Sequence, residues 1–155
     1  MSRRVRLYLD VGLFLGFALA FAPAVTGISV HEWLSLAIIV PALAHLVINW
    51  DWVMRVSAGL FGRIRAASKV NLAVDALLFG ATVTVMLSGL MVSRTIATAI
   101  GVTSSSGTIW NAVHSLSATG TIALLVAHFG LHASWIARTL RGLVPAGAEL
   151  EEVVA

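Results

Sequence analysis

Four apolar segments dominate the sequence, and each reaches the roughly 20 residues that a helix needs to cross a hydrocarbon core of about 30 Å. They lie at about 8–30, 32–54, 71–93 and 111–137. Of all residues, 59% are hydrophobic and 11% are charged, whereas a soluble domain is about half apolar and a quarter charged. We predict an all-α integral membrane protein, a four-helix up-down-up-down bundle over residues 1–142 with a short cytoplasmic tail at 143–155.

Positively charged residues are grouped on one side of the predicted membrane. Nine of the ten Lys and Arg residues come before the first span, between the second and third, or after the fourth, and Arg94 alone falls on the other side. Cytoplasmic loops carry the excess of Lys and Arg in membrane proteins. We therefore predict a multi-pass protein of the cytoplasmic (inner) membrane with both termini in the cytoplasm.

The composition also excludes several classes of function. The chain has no cysteine, which excludes disulfides, thiolate zinc sites, iron–sulfur clusters and covalently attached c-type haem. Its basic residues lie between apolar segments instead of forming one tract or face, as a nucleic-acid-binding surface requires. Membrane lipid is therefore an expected partner, and nucleic acid is not.

Four histidines form the most specific pattern in the chain. His31 and His45 are fourteen residues apart in the second segment, and His114 and His128 are fourteen residues apart in the fourth. Fourteen helical residues make almost four full turns and rise about 21 Å, so each helix presents two imidazoles on nearly one face. The second and fourth helices of such a bundle are parallel. We predict that His31 is level with His114, and His45 with His128.

Two imidazoles from opposite helices supply the two axial ligands of a six-coordinate haem iron. The pattern therefore predicts two b-type haems with bis-histidine iron. The outer haem is assigned to His31 and His114, and the inner haem to His45 and His128. The function expected from this arrangement is electron transfer across the membrane.

The second and fourth segments also repeat each other. A shift of 83 residues carries His31, His45 and Trp52 onto His114, His128 and Trp135. Under the same shift Asn49 corresponds to His132, which therefore has no histidine counterpart. His132 lies one turn after His128 and is a candidate to replace it as ligand, to bind a haem propionate or to line a quinone pocket. The equal spacing favours His128.

Small residues and prolines give further candidates. A flat macrocycle between helices requires small side chains beside it, and glycines recur near the two predicted haem depths: Gly12, Gly16, Gly27, Gly80 and Gly89. Close packing of membrane helices by itself also uses glycine. Pro23 and Pro41 are predicted to kink their helices.

Charged residues near the segment ends are candidates for binding or positioning. Arg94 on the outer side and Arg55 on the inner side are candidate partners of haem propionates through charge-assisted hydrogen bonds. Asp10 and Asp75 are interpreted as acidic groups at helix starts, where they suit the helix dipole. A role in proton uptake beside a quinone site is the alternative for these two residues.

Five short stretches carry a resemblance to a known family: Thr26-Gly27 ahead of His31-Glu32-Trp33, Ala44-His45-Leu46, Asn71 to Asp75, Ser88-Gly89 and His114-Ser115-Leu116. Together they resemble the flavinylation-associated four-helix cytochrome b family over about residues 8–137. The doubled histidine spacing is more distantly similar to cytochrome b of the bc complexes. The resemblance implies a bis-histidine di-haem subunit that passes electrons between quinol and an extracytoplasmic flavin or other redox protein.

The chain departs from that family at one point. The family often has a second histidine four residues after the ligand in both halves, whereas this chain has Asn49 in the first half and His132 in the second. No flavinylation motif is present, so a flavin partner would be another polypeptide.

Two other functions stay open. A transporter or channel would use the histidines to bind a transition metal or relay protons, although two histidines per level without a nearby carboxylate or thiolate are a poor metal site. A structural subunit would use them as hydrogen-bonding contacts between helices, which leaves the matched spacing unexplained. We expect a component of an oxidoreductase that is not catalytic by itself.

Overall fold

The computed structural model describes residues 3–59, 66–101 and 107–142, and all regular elements in these ranges are helices. The helices are α1 (Arg3–Ala20), α2 (Pro23–Thr26), α3 (Ile28–Ile48), α4 (Trp50–Ala58), α5 (Ala66–Val92), α6 (Arg94–Ala99) and α7 (Thr108–Arg141). Three of them, α3, α5 and α7, are long and apolar enough to cross a membrane. The predicted tail at 143–155 lies outside the described residues.

The first predicted segment, 8–30, is not one helix, so the prediction of a continuous helix there is wrong. α1 ends at Ala20, and a short helix begins with Pro23 at its start. Proline has no amide hydrogen and a fixed φ, so it is favoured in the first turn of a helix and disfavoured inside one. α1 also carries Arg4, Arg6 and Asp10, and it is not among the helices that qualify as membrane spans.

The second predicted segment, 32–54, is divided at Asn49, so the single helix expected there is also wrong. Asn49 has φ −101° and ψ 6°, and its Nδ2 donates a hydrogen bond of 2.8 Å to the carbonyl of His45. A side chain that bonds to the nearby backbone in this way competes with the helical hydrogen bonds. Pro41, by contrast, lies inside α3 without ending it. The third and fourth segments each form one helix.

The long helices are arranged as two hairpins. α1 packs along α3 and α5 packs along α7, whereas contacts between the two hairpins are few. One such contact joins Phe14 of α1 to Phe129 of α7, edge to face, with ring centres 5.0 Å apart. Many large apolar side chains are exposed, among them Trp33, Val40 and Leu116. An apolar exterior of this kind suits contact with lipid.

Gly27 connects the short helix α2 to α3 through an unusual backbone conformation. Its φ is +86° and its ψ is 155°, a combination that only glycine adopts without strain. Its carbonyl accepts a 3.0 Å hydrogen bond from the amide of His31. The start of the helix that carries His31 therefore depends on Gly27, a role that is separate from the haem clearance predicted for it.

Gly16 allows α1 to approach α3 closely, and this leads to a paired test. A Cβ atom at Gly16 would lie 3.2 Å from Cγ1 of the buried Ile38, whereas a Cβ atom at Gly12 would meet nothing within 4 Å. We expect Gly16→Leu to lower the free energy of unfolding by about 1–3 kcal/mol through overpacking, and Gly12→Leu not to lower it. Thermal unfolding in detergent, followed by circular dichroism, measures both. Equal unfolding temperatures would contradict the assigned contact, because both variants gain the same helix propensity.

Candidate functional site

His31 of α3 and His114 of α7 meet between the two hairpins. Their ring centres are 6.1 Å apart, and the ring planes are inclined at 79°, so the rings do not stack. Two metal–nitrogen bonds of about 2.0 Å each, added to the distance from each ring nitrogen to its ring centre, give a separation of about 6 Å. The pair therefore has the spacing needed to hold one metal ion between two imidazoles.

Hydrogen bonds that the two imidazoles donate to the neighbouring helix fix the tautomer of this outer pair. Nδ1 of His31 lies 2.6 Å from the carbonyl oxygen of Ala20. Nδ1 of His114 lies 3.1 Å from the carbonyl oxygen of Val85 and 3.3 Å from Oγ of Ser88. A carbonyl oxygen can only accept, so Nδ1–H is the donor in both rings. Nε2 is then left with the lone pair, which is the form of imidazole that binds a metal.

The inner histidines are held in the same way, but by carboxylates. Nδ1 of His45 lies 2.7 Å from Oδ1 of Asp10, and Nδ1 of His128 lies 2.7 Å from Oδ1 of Asp75. His132 lies within electrostatic range of groups from both hairpins, namely His45 and Asp10 from one and His128 and Asp75 from the other. The inner residues of the two hairpins therefore gather at one end of the molecule.

The four hydrogen bonds repeat between the hairpins. The acceptor residues of the two hairpins are 65 positions apart, since Asp10 corresponds to Asp75 and Ala20 to Val85. The histidines that bind to them are 83 positions apart. The internal repeat therefore covers α1 and α5 as well as α3 and α7. The acceptor position is conserved in space between the halves, whether it is a carboxylate or a backbone carbonyl.

The interpretation of Asp10 and Asp75 as residues of the first helical turn is wrong. α1 begins at Arg3 and α5 at Ala66, and neither helix has an acidic residue in its first turn. Both helices begin before the apolar segments do, because their first turns include polar residues that precede the apolar part. Asp10 and Asp75 are each the one acidic residue of their helix. This matching occurrence was the sequence signal for their shared role.

His132 lies directly beside the inner site. Its ring centre is 4.6 Å from that of His128, with the ring planes 53° apart. His132, His128 and Asp75 each offer a ligand atom, and these atoms lie within 4.8 Å of one another. Two imidazoles and a carboxylate are a ligand set that suits zinc and similar ions. The expectation that no carboxylate would stand near the histidines is therefore wrong at this end.

A cavity of about 270 Å³ adjoins the outer pair, lined mostly by apolar side chains together with His31, His114 and Glu32. Oε2 of Glu32 is buried and, within the described ranges, has no hydrogen-bond partner. Burial of a polar group without a partner is unfavourable, so this carboxyl group is more typical of a binding site than of a structural contact. Glu32 is not among the site residues predicted from the sequence. Its position as an acidic residue within an apolar segment was the available signal.

The predicted glycines have different surroundings. A Cβ atom at Gly89 would lie 3.1 Å from Cε1 of His114, so Gly89 makes room for the imidazole itself. A Cβ atom at Gly80 would meet nothing within 4 Å, which leaves open space beside α5. Gly16 faces Ile38 within its own hairpin. Of these three glycines, Gly89 is the one that contacts a predicted ligand.

The two predicted arginines are exposed. Arg94 is the first residue of α6, directly after Ser93, which lines the outer cavity. Arg55 lies in the last turn of α4, beyond the break at Asn49. In the part of the chain that the structure describes, neither guanidinium group is hydrogen-bonded to a histidine. The other basic residues predicted between the second and third segments, Arg63 and Arg65, lie outside that part.

Comparison with known proteins gives no match: no family model, no curated protein and no solved structure matches this chain. The resemblance to the cytochrome b family therefore stays an expectation.

The buried oxygen of Glu32 leads to a stability prediction. Replacing a buried polar group that lacks a partner with an apolar group of similar shape removes a desolvation penalty of about 1–3 kcal/mol. We expect Glu32→Met to raise the free energy of unfolding in detergent by about this amount. Ser35→Ala, on the same helix and lining the same cavity, is the control and is expected to have a smaller effect. A lower stability for Glu32→Met would mean that the carboxyl group makes a stabilising contact.

Proposed function

We propose that this chain is a membrane di-haem b-type cytochrome that carries electrons across the cytoplasmic membrane between a quinone pool and a redox partner. One observation carries the proposal. Four histidines lie on α3 and α7, fourteen residues apart on each helix, and each has its Nδ1–H bound to an acceptor on the adjacent helix of its own hairpin. That arrangement leaves four Nε2 atoms available as ligands.

The residues fit the requirements of a haem. His31 and His114 would hold the outer haem, and His45 and His128 the inner one. The ring separation of the outer pair suits a metal between two imidazoles, and the adjoining cavity has a mostly apolar lining. The two hairpins make few contacts with each other. Iron in a bis-histidine haem exchanges one electron at a potential set by ligation, hydrogen bonding and burial.

The spacing on the helices supports passage through the membrane. Fourteen residues separate the two histidines on each of α3 and α7, which corresponds to about 21 Å along the helix. A hydrocarbon core is about 30 Å thick, so ligand levels at this spacing reach toward both surfaces. The chain would thus hold two haem sites, one near each surface of the membrane.

The proposal includes four crossing helices with both termini in the cytoplasm. Three helices have the length and composition of membrane spans, and α1, which is about 27 Å long by its 18 residues, packs along one of them. At the polar start of α1, Arg6 donates a 3.4 Å hydrogen bond to Oδ1 of Asn49 at the end of α3. The distribution of Lys and Arg supports the inward orientation.

The partners follow from the resemblance and not from a contact in the structure. A quinone or quinol and an extracytoplasmic flavin or other redox protein are the proposed partners, and the flavin would be attached to another polypeptide. In this role the chain would be the electron-transferring component of an oxidoreductase.

The proposal is tested by a reduced-minus-oxidised absorption spectrum of the protein purified in detergent, with haem quantified per chain. We expect two b-type haems with low-spin bands. His114→Leu is expected to lose the outer haem and retain the inner one, because it removes an axial ligand of the outer haem. His45→Leu is expected to lose the inner haem and retain the outer one for the same reason. A protein that stays colourless after addition of haem would contradict the proposal.

A second candidate function is supported by the group formed by Asp75, His128 and His132. Such a group could bind a transition-metal ion, as in a metal or proton transporter. The 2.7 Å hydrogen bond between Asp75 and His128 would then be replaced by bonds from both side chains to the ion. This use of His128 competes with its use as a haem ligand.

His132→Leu separates the two candidate functions. If His128 is the inner ligand, His132→Leu keeps two haems per chain. The haem-free wild-type protein and the haem-free variant are then both expected to bind Co²⁺ weakly. If the three residues form a metal site, the haem-free protein binds Co²⁺ with the visible bands of a tetrahedral site, and His132→Leu abolishes them. His128→Leu is the matched control. Loss of the inner haem in His132→Leu with retention in His128→Leu would assign His132 as the ligand.

A further inference from the structure

We infer that Asp10 and Asp75 are positioning residues that give the inner haem a lower reduction potential than the outer haem. This inference rests on the proposed function. It begins from a difference between the two ligand pairs: the inner histidines donate to carboxylates, whereas the outer histidines donate to the backbone carbonyls of Ala20 and Val85. The two sites are otherwise related by the internal repeat.

Charge distinguishes the two sites more clearly than distance does. The inner bonds are both 2.7 Å long, and the outer bonds are 2.6 Å and 3.1 Å long. A hydrogen bond to an ionised acceptor is roughly twice as strong as one between neutral groups. The carboxylates therefore draw the Nδ1 proton more strongly than the carbonyls do, and they make the inner rings more basic at Nε2.

A more basic ligand donates more electron density to iron and favours its oxidised state, which lowers the reduction potential. The negative charges of Asp10 and Asp75 act in the same direction, since they stabilise the additional positive charge of oxidised iron. In the described ranges, the basic side chains within ion-pair distance of these carboxylates are His45 and His128. Neither carboxylate is neutralised there by an Arg or Lys side chain within ion-pair distance.

The difference in potential gives the electron path a direction. An electron placed on the inner site has a lower-energy position on the outer site, so transfer from the carboxylate-bound end to the carbonyl-bound end is favourable. With the proposed orientation, this direction is from the cytoplasmic side toward the extracytoplasmic side. It suits delivery of electrons to an outer redox partner.

The experiment is a potentiometric titration of the haem-loaded, full-length protein in detergent, followed by absorption. Asp10→Asn and Asp75→Asn keep the size of the side chain and remove its charge. We expect each to raise the lower of the two midpoints, where 59 mV corresponds to a tenfold change in the equilibrium constant of a one-electron couple. The higher midpoint is expected to stay unchanged. The haem that remains in His128→Leu assigns the outer midpoint.

Glu32→Gln is the matched control. It changes a carboxyl group that lines the outer cavity and, in the described ranges, makes no hydrogen bond to His45 or His128, so the lower midpoint is expected not to move. Asp75→Glu retains the charge and is expected to keep the lower midpoint near the wild-type value. An Asp→Asn protein that is helical and keeps the outer haem but loses the inner one would support the positioning role, because a structural role alone would affect both.

Two failures are distinguishable. If the wild-type protein binds no haem, the proposed function fails together with the inference. If it binds two haems and both Asn variants leave the lower midpoint in place, the inference is overturned while the proposed function stands. A wild-type protein whose outer haem has the lower midpoint would also overturn the inference.

Discussion

The hydrogen bond from each ligand-type histidine to the adjacent helix of its own hairpin determines most of the arrangement. Within a low-dielectric interior, an imidazole N–H without an acceptor is strongly unfavourable, so each ring requires a partner at its own depth. Asp10 and Ala20 are ten residues apart on α1, and Asp75 and Val85 are ten residues apart on α5. These acceptors fix the antiparallel register of each hairpin, the tautomer of each ring and the nitrogen that remains for a ligand.

Packing within the hairpins contrasts with the sparse contact between them. Gly16 brings α1 against Ile38 of α3, midway between His31 and His45, and Gly89 brings α5 against the ring of His114. Between the hairpins, the rings of His31 and His114 approach without stacking. A group bound by one histidine from each hairpin would therefore join the halves, and its binding would stabilise the folded state through linkage.

The sequence predicted the parts of this architecture that depend on spacing. The apolar lengths identified the helices of the third and fourth segments, and the repeated fourteen-residue interval placed His31 level with His114. It predicted a kink at Pro23, where the helix in fact ends and a new one begins, and it did not predict the break at Asn49, where the side chain bonds to the nearby backbone. The acceptors of the outer pair are main-chain carbonyls and carry no side-chain signature. Asp10 and Asp75 were visible, but their role depends on helices that begin before the apolar segments do.

The doubled hydrogen-bonding pattern also has a consequence for how the sites are divided along the chain. Each hairpin supplies one histidine to the outer pair and one to the inner pair, together with the acceptor for each, so a hairpin is half of both sites. Two copies of one such hairpin, associated as a symmetric dimer, would supply both histidine pairs. The two hairpins differ one turn after the inner histidine, where Asn49 of the first corresponds to His132 of the second, so the inner end is where the two halves are not equivalent.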